Sequence, residues 1–545
     1  MPDKKEFDVL IAGGGFAGLC LAWQLLQRRP GIKLAVVEKK SFPIEDGTGT
    51  VGESLVEVSA HYLSVKLGLL EHLKKEQLPK LGLRYFLESD DNSDLENRLE
   101  VGGNKYPATP SFQIDRARLE NHLVDLIQSH GGLVFQQSRI RKLSYGEKGE
   151  SHSIDFYSKD SSLGTQSFTL NGKWLIDASG RSGLTRNKFN LKQDSNHSGS
   201  AVWWRMDGEF RIDDWFYSED RKQANQGETA RWFSTNHLMG RGYWVWIIPM
   251  ASGKTSFGLV ADSAIHDFKN YNSYEKTLEW LKVHEPQLWK LCSENTDKLQ
   301  DFRSMKNYSY GSSRVISRDR WALVGEAGVF LDPFYSPGND FISIVNTLVA
   351  DLILRDLNGE RVAPRITVYN ELFLGIFNSS FETFRGQYEI IGNPRVMPVK
   401  VFWDWSYYWN FLGKMFFEDK LTDFDFLRNS RELFERFREI NIKMQVFFRE
   451  ESRRNRPVSR KGFFDLAKHK YLYELNASLS NPDLSIDFSQ RFEEGLEELE
   501  RISEEIFSCF SVESQLEVEK VEVETQGAFT KYFSELDSMM VEESR

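Results

Sequence analysis

Cysteine is scarce in this chain: Cys20, Cys292 and Cys509 are the only three among 545 residues. They lie far apart and match neither a disulfide framework nor a CxxC metal motif. A reducing cytoplasm fits that usage. Histidine is also sparse, and its ten residues never fall at the i, i+4 spacing that lets one helix face hold a metal. No protein-ligated metal is therefore expected. Long hydrophobic runs are missing too. No uncharged apolar stretch approaches the ~18 residues of a membrane helix, and Met1-Pro-Asp-Lys-Lys-Glu-Phe7 holds no apolar signal region. Nor is there a positive balance of charge: 69 Lys and Arg against 80 Asp and Glu leave −11. So acidic a surface argues against general binding to nucleic acid or anionic membranes.

What remains is an ordinary globular mixture, 40% hydrophobic and 27% charged. At about 150 residues per unit the length suggests three to four domain-sized pieces, which large enzymes pool around one site. A core of this size needs no disulfide support. There is no internal repeat and no long low-complexity linker.

The opening 40 residues carry the strongest local signal. Phe7 to Ala12 is an apolar strand pattern, Gly13-Gly14-Gly15-Phe16-Ala17-Gly18 a glycine turn, Phe16 to Leu26 a helix, and Ile32 to Val37 a second strand ending at Glu38-Lys39. Gly13 permits the tight turn, Gly15 lets a pyrophosphate approach the backbone, and Gly18 lets helix and strand pack closely. Glu38, about twenty positions on, can accept from ribose hydroxyls. The fingerprint fits NAD or FAD. Beyond it come a Gly/Thr-rich loop over 41–54, a helical stretch over 55–75, and strand-like alternation over 80–180 with a helix near 117–129. A β-rich block then covers 200–262, and mostly helical sequence follows 340. After Ser511 the chain is acidic and weakly patterned, an edge element or a mobile tail.

Later segments resolve the choice of nucleotide by resemblance. Trp174-Leu-Ile-Asp177-Ala-Ser-Gly180-Arg181 and Trp321-Ala-Leu-Val-Gly325-Glu326-Ala-Gly328, with Gln113-Ile-Asp-Arg116-Ala-Arg118, resemble the FAD signature of flavoproteins of the p-hydroxybenzoate-hydroxylase type. Glu326 departs from the Asp usual there. Three more segments narrow the family: Val51-Gly52-Glu53-Ser54-Leu55; Lys80 in a K-x-G-x-x-x-F setting 27 positions (80 − 53) after Glu53; and Trp244-Val-Trp246-Ile-Ile-Pro249. With Asp332-Pro-Phe334-Tyr335-Ser336-Pro337-Gly338 they resemble the flavin-dependent halogenases, in order over roughly residues 7–345.

That resemblance implies an α/β fold with α+β elements. Its parts would be an FAD-binding domain in pieces over 1–110, 111–200 and 311–360, an inserted antiparallel substrate sheet over 201–310, and a C-terminal helical region over 361–545. It implies that reduced FAD and O2 turn chloride or bromide into hypohalous acid, which travels to Lys80 and is directed onto an electron-rich ring. FAD would be held by Gly13, Gly15, Phe16, Ala17, Gly18, Glu38, Lys39, Gly52, Glu53, Ser54, Arg116, Asp177, Gly325, Glu326 and Gly338. Halide would rest on amides of Gly338 and Asn339, because Pro337 has no N–H. Trp244, Trp246, Pro249, Phe334, Tyr335 and Ser336 would line the tunnel or the substrate. Tryptophan-specific members carry Glu at the position of Tyr335. Its replacement points to a phenolic, polyketide-derived or pyrrole-type acceptor, free or tethered to a carrier protein. No second nucleotide fingerprint is present, so either nicotinamide binds transiently or a separate flavin reductase supplies reduced FAD; the latter is the expectation. Two rivals share the fold: a single-component aromatic monooxygenase or epoxidase, and a flavin-dependent double-bond reductase. The aromatic run Phe402–Trp409 fits either core packing or a substrate pocket.

Overall fold

Phe7, Val9, Leu10, Ile11 and Ala12 are buried on both faces, as a strand inside a parallel sheet must be. In the computed structural model, which describes residues 6–48, 51–147, 149–160, 166–223, 226–454 and 460–515, Glu6–Ala12 indeed lies mid-sheet. It runs parallel to Leu34–Val37 on one side and to the end of Gln166–Asp177 on the other. Trp321–Leu323 joins Gln166–Asp177, and Leu133–Phe135 joins Leu34–Val37. Ala12 stands opposite both Val37 and Asp177, and Asp177 opposite Leu323. Four carboxyl ends thus meet at one edge, where open α/β sheets bind ligands. His152–Ser158 and Ser138–Ser144 extend the sheet antiparallel.

The second sheet has eight strands. Its middle is the antiparallel set Gly199–Asp207, Lys254–Asp262, Tyr243–Pro249 and Thr235–Gly240. On Tyr243–Pro249, side chains alternate between two cores. Tyr243, Val245 and Ile247 pack with Trp204, Phe257 and Trp280, while Trp244, Trp246 and Ile248 face the nucleotide domain. The division read from sequence needs correction here. Leu83–Phe86 and Leu99–Gly102, placed within 1–110, belong to this sheet, and so does Gly462–Asp465 from the C-terminal region. Parallel pairings join strands distant in sequence, which local patterning cannot show.

The helical stretch expected over 55–75 is broken. Glu57–His61 continues as a π turn over Tyr62–Lys66, Gly68 takes φ +65, and Leu70–Glu76 follows. A left-handed glycine ends one helix and lets the next start at a new angle. At the C-terminal side, Pro337–Leu357 and Ala363–Glu382 are long helices. Met397–Tyr408 runs through a π turn at Trp409–Gly413 into Lys414–Phe417. The acidic stretch after Ser511 lies, from residue 516 on, outside the described residues; Phe488–Gln515 is helical up to that point. Among the described residues no helix is long and apolar enough to cross a membrane.

Candidate active site

A cavity of about 730 Å³ opens at the carboxyl edge of the first sheet. Gly13, Gly15, Phe16, Ala17, Glu38 and Lys39 form its inner end. The glycines divide their work as their geometry requires. A Cβ on Gly13 would meet the Ala178 carbonyl oxygen at 2.3 Å, and one on Gly18 the Gly13 carbonyl oxygen at 2.2 Å, so both are packing glycines. A Cβ on Gly15 would meet nothing within 4 Å, because it would project into the cavity. The helix Phe16–Arg28 starts there with no side-chain cap, leaving its first amides for an anion. Glu38 is oriented by two amides, Gly14 to Oε2 at 2.7 Å and Lys40 to Oε1 at 2.8 Å. These features fit the pyrophosphate and ribose of a dinucleotide.

Further along, Gly52, Glu53, Ser54, Arg116, Gly325 and Glu326 line the same cavity. Arg116 stacks on Phe16 at 4.6 Å and donates to the Val51 carbonyl and to Glu120, which leaves its buried Nε without a partner. Glu326 sits 3.8 Å from Arg181, too far for a hydrogen bond, and burial raises its pKa. Both polar groups can therefore take a ligand. Asp177 does not belong with them. It is fully buried and accepts from the Ser179 and Thr185 amides, so it shapes the loop after its strand instead of meeting the cavity. Gly18 likewise acts behind the wall.

Trp244 and Trp246 close the far side of this cavity. Trp244 donates to the Tyr388 hydroxyl at 3.1 Å and Trp246 to Ser256 at 3.2 Å. The Trp246 ring lies over Gly258, where a Cβ would come within 2.2 Å of it. Pro249 is buried in its strand and Phe334 packs on Trp244, ring centres 5.4 Å apart; neither lines this cavity.

Residues 332–340 form the partition between this cavity and a second one. Asp332 anchors it. Burial raises its pKa, but hydrogen bonds from His197, Tyr308 and the Phe334 amide reverse the shift and hold the carboxylate charged. Tyr335 and Ser336 both adopt left-handed backbone, φ +64 and +59, a strained pair for residues with side chains. The Tyr335 hydroxyl donates to Asp404 at 2.9 Å, and Asp404 is held in turn by Lys400 and Gln445. The turn expected at Pro337–Asn339 is the start of the helix Pro337–Leu357, so the Gly338 and Asn339 amides lie in a helix's first turn. Both residues line the larger cavity.

The second cavity is about 170 Å³ and mostly apolar-walled. Lys80 lies in its wall, 1% exposed, at the end of Leu78–Lys80, which pairs with Ser111–Gln113. Its Nζ donates to the Leu55 carbonyl at 2.6 Å and to Ser54 Oγ at 2.8 Å. Burial lowers its pKa to about 7, against the opposing pull of Glu57 and Asp340. These two carboxyls line the same cavity, with Asp404. Burial pushes Asp340 up to about 7, although Tyr408 and the Ser59 amide donate to it. Sequence reading missed all three acids and Lys400, because what gathers them is a set of contacts from the C-terminal helices. The aromatic run divides: Trp403 is fully buried and donates to Asn441, whereas Trp405, Tyr407, Tyr408 and Trp409 line the cavity.

Comparison with known proteins agrees with this geometry. The family model described as FAD binding domain matches residues 6–226. The flavin-dependent halogenase chlA of Dictyostelium discoideum is 25% identical over 437 residues, 75% of this chain and 70% of that protein. A 1H-pyrrole-2-carbonyl-[peptidyl-carrier protein] chlorinase of Pseudomonas fluorescens is 27% identical, over 61% of this chain and 72% of its own length. This chain is a relative of the flavin-dependent halogenases. It is an FAD-dependent enzyme of the oxidoreductase class. Two solved structures share the fold. The halogenase PltM in complex with phloroglucinol and FAD has a TM-score of 0.67 at 15% identity, covering 89% of this chain and 99% of that one. The myxobacterial chondrochloren halogenase CndH has 0.55 at 20%, covering 70% and 81%.

Proposed function

We propose that this halogenase relative places chlorine or bromine on a neutral, electron-rich aromatic ring of phenolic, polyketide-derived or pyrrole type, with Lys80 directing the reaction. One observation carries the reading. A buried lysine stands in a small aromatic-walled cavity, separated from the nucleotide cavity by a strained partition and tied across it through Ser54. A hydroxylase needs its substrate against the flavin. Here the bulk of Trp244 and Trp246 occupies that side.

The chemistry FAD supplies when bound, reduced and in the presence of O2, is oxidation of halide to hypohalous acid. Gly13–Gly18, Glu38, Arg116 and Glu326 would hold the nucleotide. The Gly338 and Asn339 amides would hold halide, where a helix N-terminus favours an anion. An ammonium at Lys80 would donate to hypohalous acid and polarise it toward the ring. No second glycine fingerprint accompanies the first, which supports a separate flavin reductase as electron source. The carrier-bound pyrrole in one relative's name makes a tethered acceptor as reasonable as a free one. Cys20 and Cys292 are buried free thiols, in keeping with a reducing cytoplasm.

Mass spectrometry of free and carrier-bound phenols and pyrroles, with reduced FAD and either chloride or bromide, tests this. A product mass that changes with the halide is expected. A hydroxylated product independent of halide would replace this reading with the monooxygenase one.

A further inference from the structure

Glu57 opens the short helix Glu57–His61 and is a half-buried residue that borders the Lys80 cavity. Asn476 Nδ2 donates to its Oε1 at 3.1 Å, fixing the side chain from the C-terminal region. Beside it stands Trp409, at the start of the π turn, whose buried indole N–H has no hydrogen-bond partner. Burial raises the Glu57 pKa, opposed by its own backbone amide, by the Lys80 charge, and by the indole N–H and Asn476, which lean toward the carboxylate. A buried donor left unpaired costs stability unless a ligand meets it. Asp340, by contrast, already has Tyr408 and the Ser59 amide, and Asp404 has Lys400, Gln445 and Tyr335. Of the three acids in this cavity, Glu57 is the one that is not fully buried, and so the one open to a substrate.

We propose that Glu57 is a catalytic base that accepts the proton of a ring hydroxyl on the substrate, with Trp409 donating to the same oxygen. This rests on the halogenation reading and names its acceptor class: a phenol with no carboxylate of its own, since an anionic ring would meet Glu57, Asp340 and Asp404. The ring carbon bonds to halogen as the O–X bond of hypohalous acid breaks, its electron pair staying on oxygen. That hydroxide takes a proton from the Lys80 ammonium and leaves as water. The phenolic O–H pair becomes a C=O bond while its proton moves to Glu57. The halogenated dienone then loses its ring C–H proton to the Lys80 amine, and Glu57 returns its proton to the oxygen. Phenol and hypohalous acid become halophenol and water, and both side chains regain their starting forms. The carboxylate does the work for which Tyr335, lacking a carboxyl, is unsuited, and it does so from a different element.

The test compares a phenol with its methyl ether in wild type, Glu57→Gln and Trp409→Phe, by equilibrium titration and by turnover. Wild type should bind the phenol about 10-fold tighter than the ether, the worth of one hydrogen bond to a charged acceptor. Glu57→Gln should erase most of that gap and cut phenol halogenation at least ~100-fold, the scale of a lost general base, with FAD affinity unchanged as the check on folding. Trp409→Phe should narrow the binding gap without abolishing turnover. An unchanged gap in Glu57→Gln, or halogenation at the wild-type rate, overturns the proposal. If wild type halogenates no phenol at all, the functional reading fails with it, while the titration still reports separately whether Glu57 receives the hydroxyl.

Discussion

Lys80 Nζ donates to Ser54 Oγ at 2.8 Å, and those two residues belong to different cavities: Ser54 lines the nucleotide side and Lys80 the aromatic-walled side. Thr235 and Ser336 also donate to Ser54 Oγ, each at 2.9 Å. One hydroxyl therefore gathers a strand of the second sheet, the partition and the lysine. A small oxidant crossing between the cavities would pass polar hydrogens here instead of a closed apolar wall.

Lys80→Ala should bind FAD within about 3-fold of wild type, because Lys80 does not border the nucleotide cavity. It should lose halogenated product by at least ~100-fold, on the scale of a positioned proton donor. Lys80→Arg should not restore it. A guanidinium is wider, planar and always charged, and the site holds a lysine whose pKa burial has brought down to about 7. Near-normal product from Lys80→Ala, measured by mass spectrometry, would reduce Lys80 to a bystander.

Gly15 and Gly18 should respond differently to added bulk. Gly15→Val points into open cavity, so the apoprotein should melt within a degree or two of wild type while FAD binds at least ~10-fold more weakly. Gly18→Val has a backbone oxygen within 2.2 Å of its first new atom and should lose fold and cofactor together. Fluorescence titration beside thermal melting separates the two. Equal FAD affinity in Gly15→Val and wild type would remove the pyrophosphate from this turn.

The nucleotide end was legible in the sequence because it is local: strand, glycines, helix, strand and Glu38 lie within 40 residues, although the contact that requires Gly13 comes from Ala178. Lys80 was legible only through its setting in a motif, since nothing about a lone lysine announces a buried wall position. Glu57, Asp340 and Asp404 were not legible as a group. Asn476, Tyr408 and Lys400 hold them, and those contacts span from four to more than 400 residues along the chain. Asp177 was misplaced for the opposite reason. Its motif marks the right loop, but an aspartate with two nearby amides satisfies them before any ligand.

Asp340 predicts a pH dependence of stability. Its folded pKa, about 7, lies above the ordinary 3.8 because burial penalises the charged form. Between those values the native state binds more protons than the unfolded chain, so this group makes stability fall as pH rises, by up to about 1.4 kcal/mol per pH unit. The cost is absent below the unfolded pKa and complete above the folded one. Asp340→Asn removes it and keeps an oxygen for the Ser59 amide. Its stability relative to wild type should therefore improve as pH is raised from about 4 to 7, read by denaturant melts across that range. A difference independent of pH would show that Asp340 titrates normally.

Electron supply gives a kinetic prediction. With one nucleotide fingerprint in the chain, NADPH alone should reduce bound FAD slowly in stopped flow, and an added flavin reductase should restore turnover. Chemically reduced FAD should support product formation with no nicotinamide present. Rapid reduction by NADPH without a partner would favour the single-component monooxygenase.

Tyr335, with Pro337 and Asp340, is part of the partition that faces the Lys80 cavity, and its role can be separated from its strain. At φ +64 a tyrosine costs backbone energy that glycine avoids, so Tyr335→Gly relieves the left-handed strain while removing the ring. If the ring is a wall, this variant should still oxidise halide but deliver less of it to substrate. A halogen scavenger in bulk solvent should capture more, and product per O2 consumed should fall several-fold. Tyr335→Phe keeps the ring and gives up only the hydrogen bond to Asp404, a partner that Lys400 and Gln445 still hold. Its product yield per O2 should stay within about 3-fold of wild type, since one lost hydrogen bond is worth roughly 0.5–1.5 kcal/mol or a little more to a charged partner. If Phe uncouples as badly as Gly, the hydroxyl and not the bulk is what matters, and the partition works through its hydrogen bond to Asp404.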